Sequence, residues 1–140
     1  SFILGYTNED FGIYRKLPVI IFDDFTTASQ YVSFPFKVKS SAMKILTPNT
    51  ELVLPQYIYY RMQIIQFDAS THKRYWIQQY SKIKVSIPPL AEQEKIAEIL
   101  VTQDKVIALK EKLLEEKKKQ KKHFIQMIFN SRKSRRLFNK

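Results

Sequence analysis

The pattern of apolar and polar residues divides the chain into two parts at the pair of prolines Pro88 and Pro89. No Gly or Pro interrupts residues 91–130. An apolar stripe with a repeat of seven residues runs along this segment and consists of Ile99, Leu100, Val106, Ile107, Leu113 and Leu114. This spacing is typical of a helix that buries one face. Forty helical residues extend about 60 Å at about 1.5 Å per residue, so we expect a helix that packs against a partner helix.

One edge of the apolar stripe carries polar residues at the same interval, namely Gln103, Lys110 and Lys117. A regular two-stranded coiled coil is therefore a poor match. A surface helix folded back on its own domain is the alternative, but the length argues against it. We expect a broader apolar face that can pack against more than one helix.

Before the prolines, short apolar runs alternate with polar turns. The continuous apolar run from Leu17 to Phe22 predicts a buried strand, and two more strands are expected at residues 31–36 and 42–46. Residues 2–4 also have the character of a strand, which opens without a preceding turn. Because only two glycines are present, the turns must rely on Asn, Asp, Ser and Pro.

A helix is expected to begin at Pro55, with Ile58, Met62 and Ile65 on one face. The tyrosines of this segment are assigned to packing rather than to stacking on a ligand. The predicted fold class is therefore α+β, with a small mixed-sheet domain followed by one long C-terminal helix that forms a coiled coil.

Length and composition fit one domain with an appendage in a chain of 140 residues. We predict a domain at residues 1–90, a helix for dimerisation and subunit docking at residues 91–130, and a basic tail at residues 131–140. No run of about 18 uncharged apolar residues is present, so we expect no membrane contact. Cysteine is absent, which excludes thiolate chemistry and is compatible with the cytoplasmic location that we expect.

The formal charge of +11 is distributed unevenly. Residues 117–140 hold ten Lys and Arg and no Asp or Glu, whereas residues 1–116 hold 14 Lys and Arg against 13 Asp and Glu. Such a basic run could bind phosphates, anionic lipid or acidic protein, and it is often only a solvated helix end. Basicity alone identifies no partner.

Residues 70–76 are the one place before the prolines where positive charge, aromatic rings and short hydroxyls are interleaved. His72, Lys73, Arg74 and Tyr75 are therefore candidates for contacts with phosphates and base edges. The alternative is an ordinary surface loop anchored by Trp76, and we assign Trp76 itself to the core.

No constellation typical of an enzyme is present. Asp23 and Asp24 suggest a metal-dependent nuclease, but adjacent carboxylates on a strand point to opposite faces and no acidic-x-Lys partner follows. His72 and His123 lie far apart, which gives no zinc spacing. Neither glycine lies in a phosphate-binding motif. We expect no catalytic site, metal or cofactor.

The segment Ser86–Ile96, with the sequence SIPPLAEQEKI, is followed by a long Lys- and Glu-rich helix that closes in Gln126–Phe129. This arrangement resembles the conserved region of the specificity subunit of type I restriction–modification systems. In that family a strand, two prolines, a Leu and a Glu-Gln pair precede a helix that joins a target-recognition domain to its scaffold. Residues 54–60 and 73–83 also resemble the last third of such a domain.

The resemblance implies sequence-specific DNA recognition without catalysis, with double-stranded DNA, a modification (methyltransferase) subunit and a restriction subunit as partners. The loops after Phe22 and around His72–Tyr75 correspond to DNA-facing loops of the family. The resemblance therefore implies that Thr26, Thr27, Lys73 and Arg74 contact DNA. Asn8 and Arg15 are added as candidate contacts on polarity alone. Recognition domains of the family are longer than 90 residues, so the first domain is expected to be incomplete at its N-terminus.

In the resembled family, two helices run antiparallel about a pseudo-two-fold axis. We therefore expect an antiparallel homodimer through residues 91–130 that reads a bipartite target, or docking of the apolar stripe on the modification subunit. The alternative function is a non-catalytic coiled-coil scaffold whose basic tail binds nucleic acid nonspecifically.

Overall fold

The computed structural model describes residues 3–68, 74–76 and 78–136, with side chains described as far as residue 130. Its elements in chain order are β1 (Val19–Asp23), β2 (Ser29–Val32), β3 (Met43–Leu46), α1 (Pro55–Gln63), a 3₁₀ turn (Tyr80–Lys82) and α2 (Leu90–Arg136). The chain divides into two compact units, unit 1 (Ser1–Glu98) and unit 2 (Ile99–Lys140). The predicted α+β class is confirmed.

The sheet has the order β2-β1-β3, and β1 pairs antiparallel with both neighbours. The central place of β1 follows from its sequence, because a continuous apolar run suits a strand that is covered on its faces. Val19 and Phe22 are both 0% exposed. Every pairing among the described residues is antiparallel, which differs from the mixed sheet that we expected.

The predicted strands at residues 17–22 and 42–46 correspond to β1 and β3 within two residues, but β2 is earlier and shorter than the predicted residues 31–36. It ends where Val32 pairs with Val19. The residue that precedes Val19, where the next pair would form, is Pro18, which has no N–H to extend the ladder. Phe36 instead forms an isolated bridge with Tyr14.

Residues 3 and 4 do not form the strand that the sequence predicted. Ile3 is 54% exposed and Leu4 is 89% exposed, and neither belongs to a ladder. An apolar run becomes a strand only when another strand is available to satisfy its backbone groups. Phe2 lies outside the described residues.

Helix α1 begins at Pro55 as predicted, because a proline in the first turn sacrifices no intrahelical hydrogen bond. It ends at Gln63, so Ile65 packs on the core from beyond the helix. The buried core cluster consists of Ile20, Phe22, Met62, Tyr75 and Tyr80. Trp76 packs partly buried against this cluster, with its ring 5.0 Å from Phe22, as the sequence predicted.

Helix α2 begins directly after the two prolines and extends beyond the predicted residues 91–130. Gln93, in its first turn, is 0% exposed. The side-chain Oε1 accepts a hydrogen bond from Leu54 N at 2.9 Å, and Nε2 donates to the carbonyls of Leu52 and Pro88 at 3.0 and 2.8 Å. The first turn of α2 is thereby fixed to the loop before α1. The described residues 83–89 form no strand, unlike the family pattern.

The part of α2 that belongs to unit 2 exposes nearly all its side chains. From residue 102 to residue 130, every described side chain is exposed. Among the described residues, no helix is long and apolar enough to cross a membrane.

Candidate nucleic-acid interface

The hairpin turn between β1 and β2, residues 23–28, is held by hydrogen bonds to Asp23. Its Oδ1 accepts from Phe25 N at 2.9 Å, and its Oδ2 accepts from Thr26 Oγ1 at 2.8 Å. The Asp23 carbonyl accepts from Thr27 N at 2.9 Å. An aspartate that binds the backbone two residues on is typical of turns. The hairpin turn therefore presents its exposed side chains from an ordered backbone.

Thr27 adopts a left-handed conformation, with a φ of +58°. This region is unfavourable for a β-branched residue, whereas glycine enters it freely. Non-glycine residues held there cost on the order of 1–3 kcal/mol, and such strain concentrates at functional sites. The strain makes the half-buried Thr27 side chain a candidate for a functional contact.

Asp24 points into the core, opposite to Asp23. Ile20, Phe22 and Asp24 alternate along the chain and are all 0–1% exposed, which is the period of residues on one face of a strand. The Asp24 Oδ1 accepts a hydrogen bond from Trp76 N at 2.8 Å. Its Oδ2 lies 3.7 Å from Lys44 Nζ. The carboxylate therefore has both a hydrogen-bond donor and a counter-ion in the interior.

The backbone of Asp24 adds two more connections. Its N–H donates to the Ala42 carbonyl at 3.0 Å, and its carbonyl accepts from Tyr75 N at 3.0 Å. The segment 74–76 therefore lies against the hairpin turn, although about fifty residues separate them in the sequence.

Arg74 is exposed and lies over Phe25, with its Cζ 5.7 Å from the ring centroid. Phe25 is 37% exposed. A guanidinium over an aromatic ring at an exposed site is stabilised by about 0.5–1 kcal/mol. The structure thus brings together four residues, Phe25, Thr26, Thr27 and Arg74, which we call the recognition surface. Three of them are residues that the sequence predicted.

Tyr75 does not belong to this surface, contrary to the prediction that it contacts DNA. Its side chain is 3% exposed, and its ring lies 5.1 Å from that of Phe67. Tyr75 follows Arg74 directly, but Arg74 is exposed whereas Tyr75 is buried. The charged and aromatic residues that alternate here therefore have different roles. The Arg74 guanidinium is exposed, and the Tyr75 ring belongs to the core.

The remaining predicted contacts are His72, Lys73, Asn8 and Arg15. His72 and Lys73 lie outside the described residues. Asn8 and Arg15 are exposed, and no hydrogen bond or ion pair described for them reaches residues 23–28 or Arg74. Near Asn8, the Lys37 ammonium binds Glu9 Oε2 at 2.6 Å and holds the pKa of that carboxyl below its ordinary value.

Within the described part of the chain, no group of three or more His, Cys, Asp or Glu residues could hold a metal ion. Every buried side-chain nitrogen and oxygen described has a hydrogen-bond partner. Burial also raises the pKa of the Tyr80 phenol in the core. The polar groups described in the interior therefore serve the fold.

Sequence reasoning missed Phe25 and Asp24. Asp23 and Asp24 were considered only as a metal site, although the alternation that placed them on opposite faces already implied that one of them points inward. Extending the buried pattern of Ile20 and Phe22 by two residues identifies Asp24 as that one. For Phe25, no signal in the sequence connects it with Arg74, since the contact depends on tertiary structure.

A second candidate surface is the apolar stripe on α2. Ile99, Val106 and Leu113 are 61%, 38% and 53% exposed, and Ile107 and Leu114 are 53% and 55% exposed. Leu100 is half-buried. After the stripe come five exposed lysines at residues 117–122, one of which, Lys118, binds Glu115 at 2.7 Å. Five of the six apolar side chains of the stripe are thus exposed, and contiguous exposed apolar patches mark interaction sites.

Comparison with known proteins identifies one family. A family model described as "Type I restriction modification DNA specificity domain" matches residues 13–119, which include the recognition surface and the apolar stripe of α2. The chain is also 46% identical, over 136 aligned residues, to the specificity subunit of the type I restriction enzyme EcoR124I/EcoR124II of Escherichia coli. The alignment covers 89% of this chain and 33% of the relative, so the chain spans about a third of that protein's length. No solved structure matches the chain.

Proposed function

We propose that this chain, which belongs to the type I restriction–modification DNA specificity domain family, reads the sequence of double-stranded DNA and catalyses no reaction itself. The observation that carries the proposal is the recognition surface, where the Arg74 guanidinium stands over Phe25 beside two threonines of an ordered hairpin turn. The family match includes both segments that form it.

These side chains have the chemistry of base recognition. An arginine can donate two hydrogen bonds to O6 and N7 of guanine in the major groove, and a threonine can bind a base edge or contact the thymine methyl group. The hydroxyl of Thr26 is already bound to Asp23, so its methyl group is the more available part. We assign hydrogen bonding with a base to Arg74 and Thr27.

The charge of unit 1 supports local contacts rather than general attraction. Residues 1–98 hold 11 Lys and Arg against nine Asp and Glu. Lys73 and His72, next to Arg74 in the sequence, are proposed to bind phosphates, and Asn8 and Arg15 stay predicted contacts on polarity alone. The modification and restriction subunits of a type I enzyme are the proposed protein partners, in the cytoplasm.

The apolar stripe is proposed to form an antiparallel homodimer with a second copy of the chain. A two-fold interface is self-complementary, so two paired copies would present two recognition surfaces. Charge favours this orientation, because Glu92, Glu94 and Glu98 near the start of α2 would face the lysines at residues 117–122 of the other copy. Docking of the stripe on a modification subunit is the other use of the same surface.

The function is tested by equilibrium binding of the full chain to a duplex selected from random DNA, and to the same duplex with single base pairs exchanged. A sequence reader loses about 1–3 kcal/mol for each wrong base pair that it reads. The alternative, a scaffold with a phosphate-binding tail, would bind all duplexes alike and would weaken steeply with salt. Equal affinity for every duplex would reject the proposed function in favour of that scaffold.

A further inference from the structure

We propose that Asp24 is a positioning residue for base recognition, whose carboxylate holds Arg74 beside the hairpin turn. The inference rests on the proposed function, because it assigns to Asp24 an effect on the base that Arg74 reads. Asp24 is 1% exposed, so it acts through the protein and not by touching DNA.

The first argument is the hydrogen bonding directly after Arg74. The next two backbone N–H groups, of Tyr75 and Trp76, both donate to Asp24, the first to its carbonyl at 3.0 Å and the second to its Oδ1 at 2.8 Å. The peptide unit that joins Arg74 to Tyr75 is planar, so a bound Tyr75 N–H fixes the orientation of the Arg74 carbonyl. The bond to Tyr75 N is made by the backbone of Asp24, and the carboxylate adds the bond to Trp76 N, two residues after Arg74.

The second argument is that Asp24 is itself fixed from another direction. Its N–H binds the Ala42 carbonyl at 3.0 Å, and its Oδ2 lies 3.7 Å from the ammonium of Lys44 on β3. Phe22 pairs with Lys44 in the sheet register, so the counter-ion comes from the strand next to β1. Asp24 therefore connects the sheet to the segment that carries Arg74 and fixes that segment relative to the sheet.

The third argument is the division of roles between two adjacent acids. Asp23 binds Phe25 N and Thr26 Oγ1 and so orders the turn. Asp24 binds the segment 74–76, and the two segments meet where the Arg74 guanidinium lies over Phe25. One pair of carboxylates thus assembles both halves of the recognition surface.

The inference is tested with Asp24→Ala and Asp24→Asn, each alone and combined with Arg74→Ala. The readout is the ratio of dissociation constants for duplexes that differ at the base pair read by Arg74. We expect Asp24→Ala to lower this ratio about 5- to 150-fold, which corresponds to the loss of one bidentate base contact. We expect Asp24→Asn to retain the ratio, because the amide Oδ1 still accepts from Trp76 N. In the Arg74→Ala background, Asp24→Ala should have no further effect on it.

Folding is followed by urea unfolding of each variant. If Asp24→Ala does not fold, Asp24→Ala combined with Lys44→Met replaces it, because removing both charges leaves no uncompensated ion in the interior. The same loss of preference is expected from this double variant.

An unchanged preference in the folded Asp24→Ala variant overturns the positioning role, and so does a further loss of preference when Asp24→Ala is added to Arg74→Ala. Loss of preference in Asp24→Asn overturns the assignment to the hydrogen bond. If Arg74→Ala alone changes no preference, the role of Arg74 in the proposed function fails, and the inference falls with it. The single variants distinguish these cases.

Discussion

The apolar run of β1 in unit 1 is buried or half-buried, whereas the apolar stripe of unit 2 is mostly exposed. In unit 1, Ile20 and Phe22 are 1% and 0% exposed. In unit 2, Val106 and Leu113 are 38% and 53% exposed although they follow an equally regular pattern. Both patterns predict burial, but only one finds its partner within the same chain. The apolar run of β1 is thus covered within unit 1, whereas the apolar stripe of unit 2 stays exposed, as the proposed dimer requires.

The two units also differ in charge. Unit 1 holds 11 Lys and Arg against nine Asp and Glu, and unit 2 holds 13 against four. Phosphate contacts supply affinity without sequence information, whereas base contacts supply specificity. On this account, specificity belongs to the nearly neutral unit 1, and nonspecific attraction belongs to the basic unit 2.

The largest effect is expected when the apolar stripe is disrupted by changing both Val106 and Leu113 to Asp. Each of these side chains is worth about 1.5–3 kcal/mol when fully buried, and a dimer would lose both from each copy. Sedimentation at tens of micromolar should show dimers for the unmodified chain and monomers for the double variant.

The matched control for this variant is Ala108→Asp. Ala108 is exposed and lies two residues, or about 200°, from Val106, on the opposite side of the helix. It should leave the dimer intact. A monomeric unmodified chain, or cross-links between parallel helices, would reject the homodimer and leave the apolar stripe to the modification subunit.

A smaller effect is expected at Gln93, which lies on α2 but belongs to unit 1. Gln93→Ala would remove a fully buried side chain with its hydrogen bonds to Leu54 N and to the carbonyls of Leu52 and Pro88, at about 1–3 kcal/mol for each of these groups that is left buried and unpaired. Gln126→Ala, on the exposed part of the same helix, should change the free energy of unfolding by less than about 0.5 kcal/mol. Urea unfolding measures both. Equal effects would contradict the division between the units.

The smallest effect on recognition is expected from deleting residues 131–140, which removes five positive charges. Nonspecific affinity should fall, and the slope of log K against log salt should decrease by at most about five units. The preferred sequence should stay the same, because no base contact is proposed there. Binding titrations at several salt concentrations decide this, and an altered preference would place recognition in the tail.

The sequence predicted those parts of the fold that depend on local pattern. The apolar run of β1, the proline that begins α1 and the prolines before α2 all gave elements close to those observed. The strand β2 was predicted too late and too long, because its end depends on the residue that precedes Val19 on the neighbouring strand, and that residue is Pro18. The strand predicted at residues 3 and 4 is absent for a similar reason, since no neighbouring strand is present for it among the described residues.

The recognition surface was predictable only in part. Residue type and family position indicated Thr26, Thr27 and Arg74, but the contact between Arg74 and Phe25 depends on the bonds that Asp24 makes across the fold. The burial of Gln93 likewise could not be predicted, because Gln93 is a polar residue that lies between charged neighbours in a helix. Buried polar residues that join distant segments leave no periodic signal in a sequence.

The central claim, that unit 1 reads bases through the recognition surface, is tested most directly by Arg74→Ala. The measurement is binding of the variant to the selected duplex and to every single exchange of a base pair, beside Arg61→Ala on α1 as a control that removes the same charge. We expect Arg74→Ala to lose about 1–3 kcal/mol of discrimination at one base pair and to keep it at the others, with Arg61→Ala unchanged throughout. An Arg74→Ala profile that keeps every preference, or weakens all duplexes equally, would contradict the account.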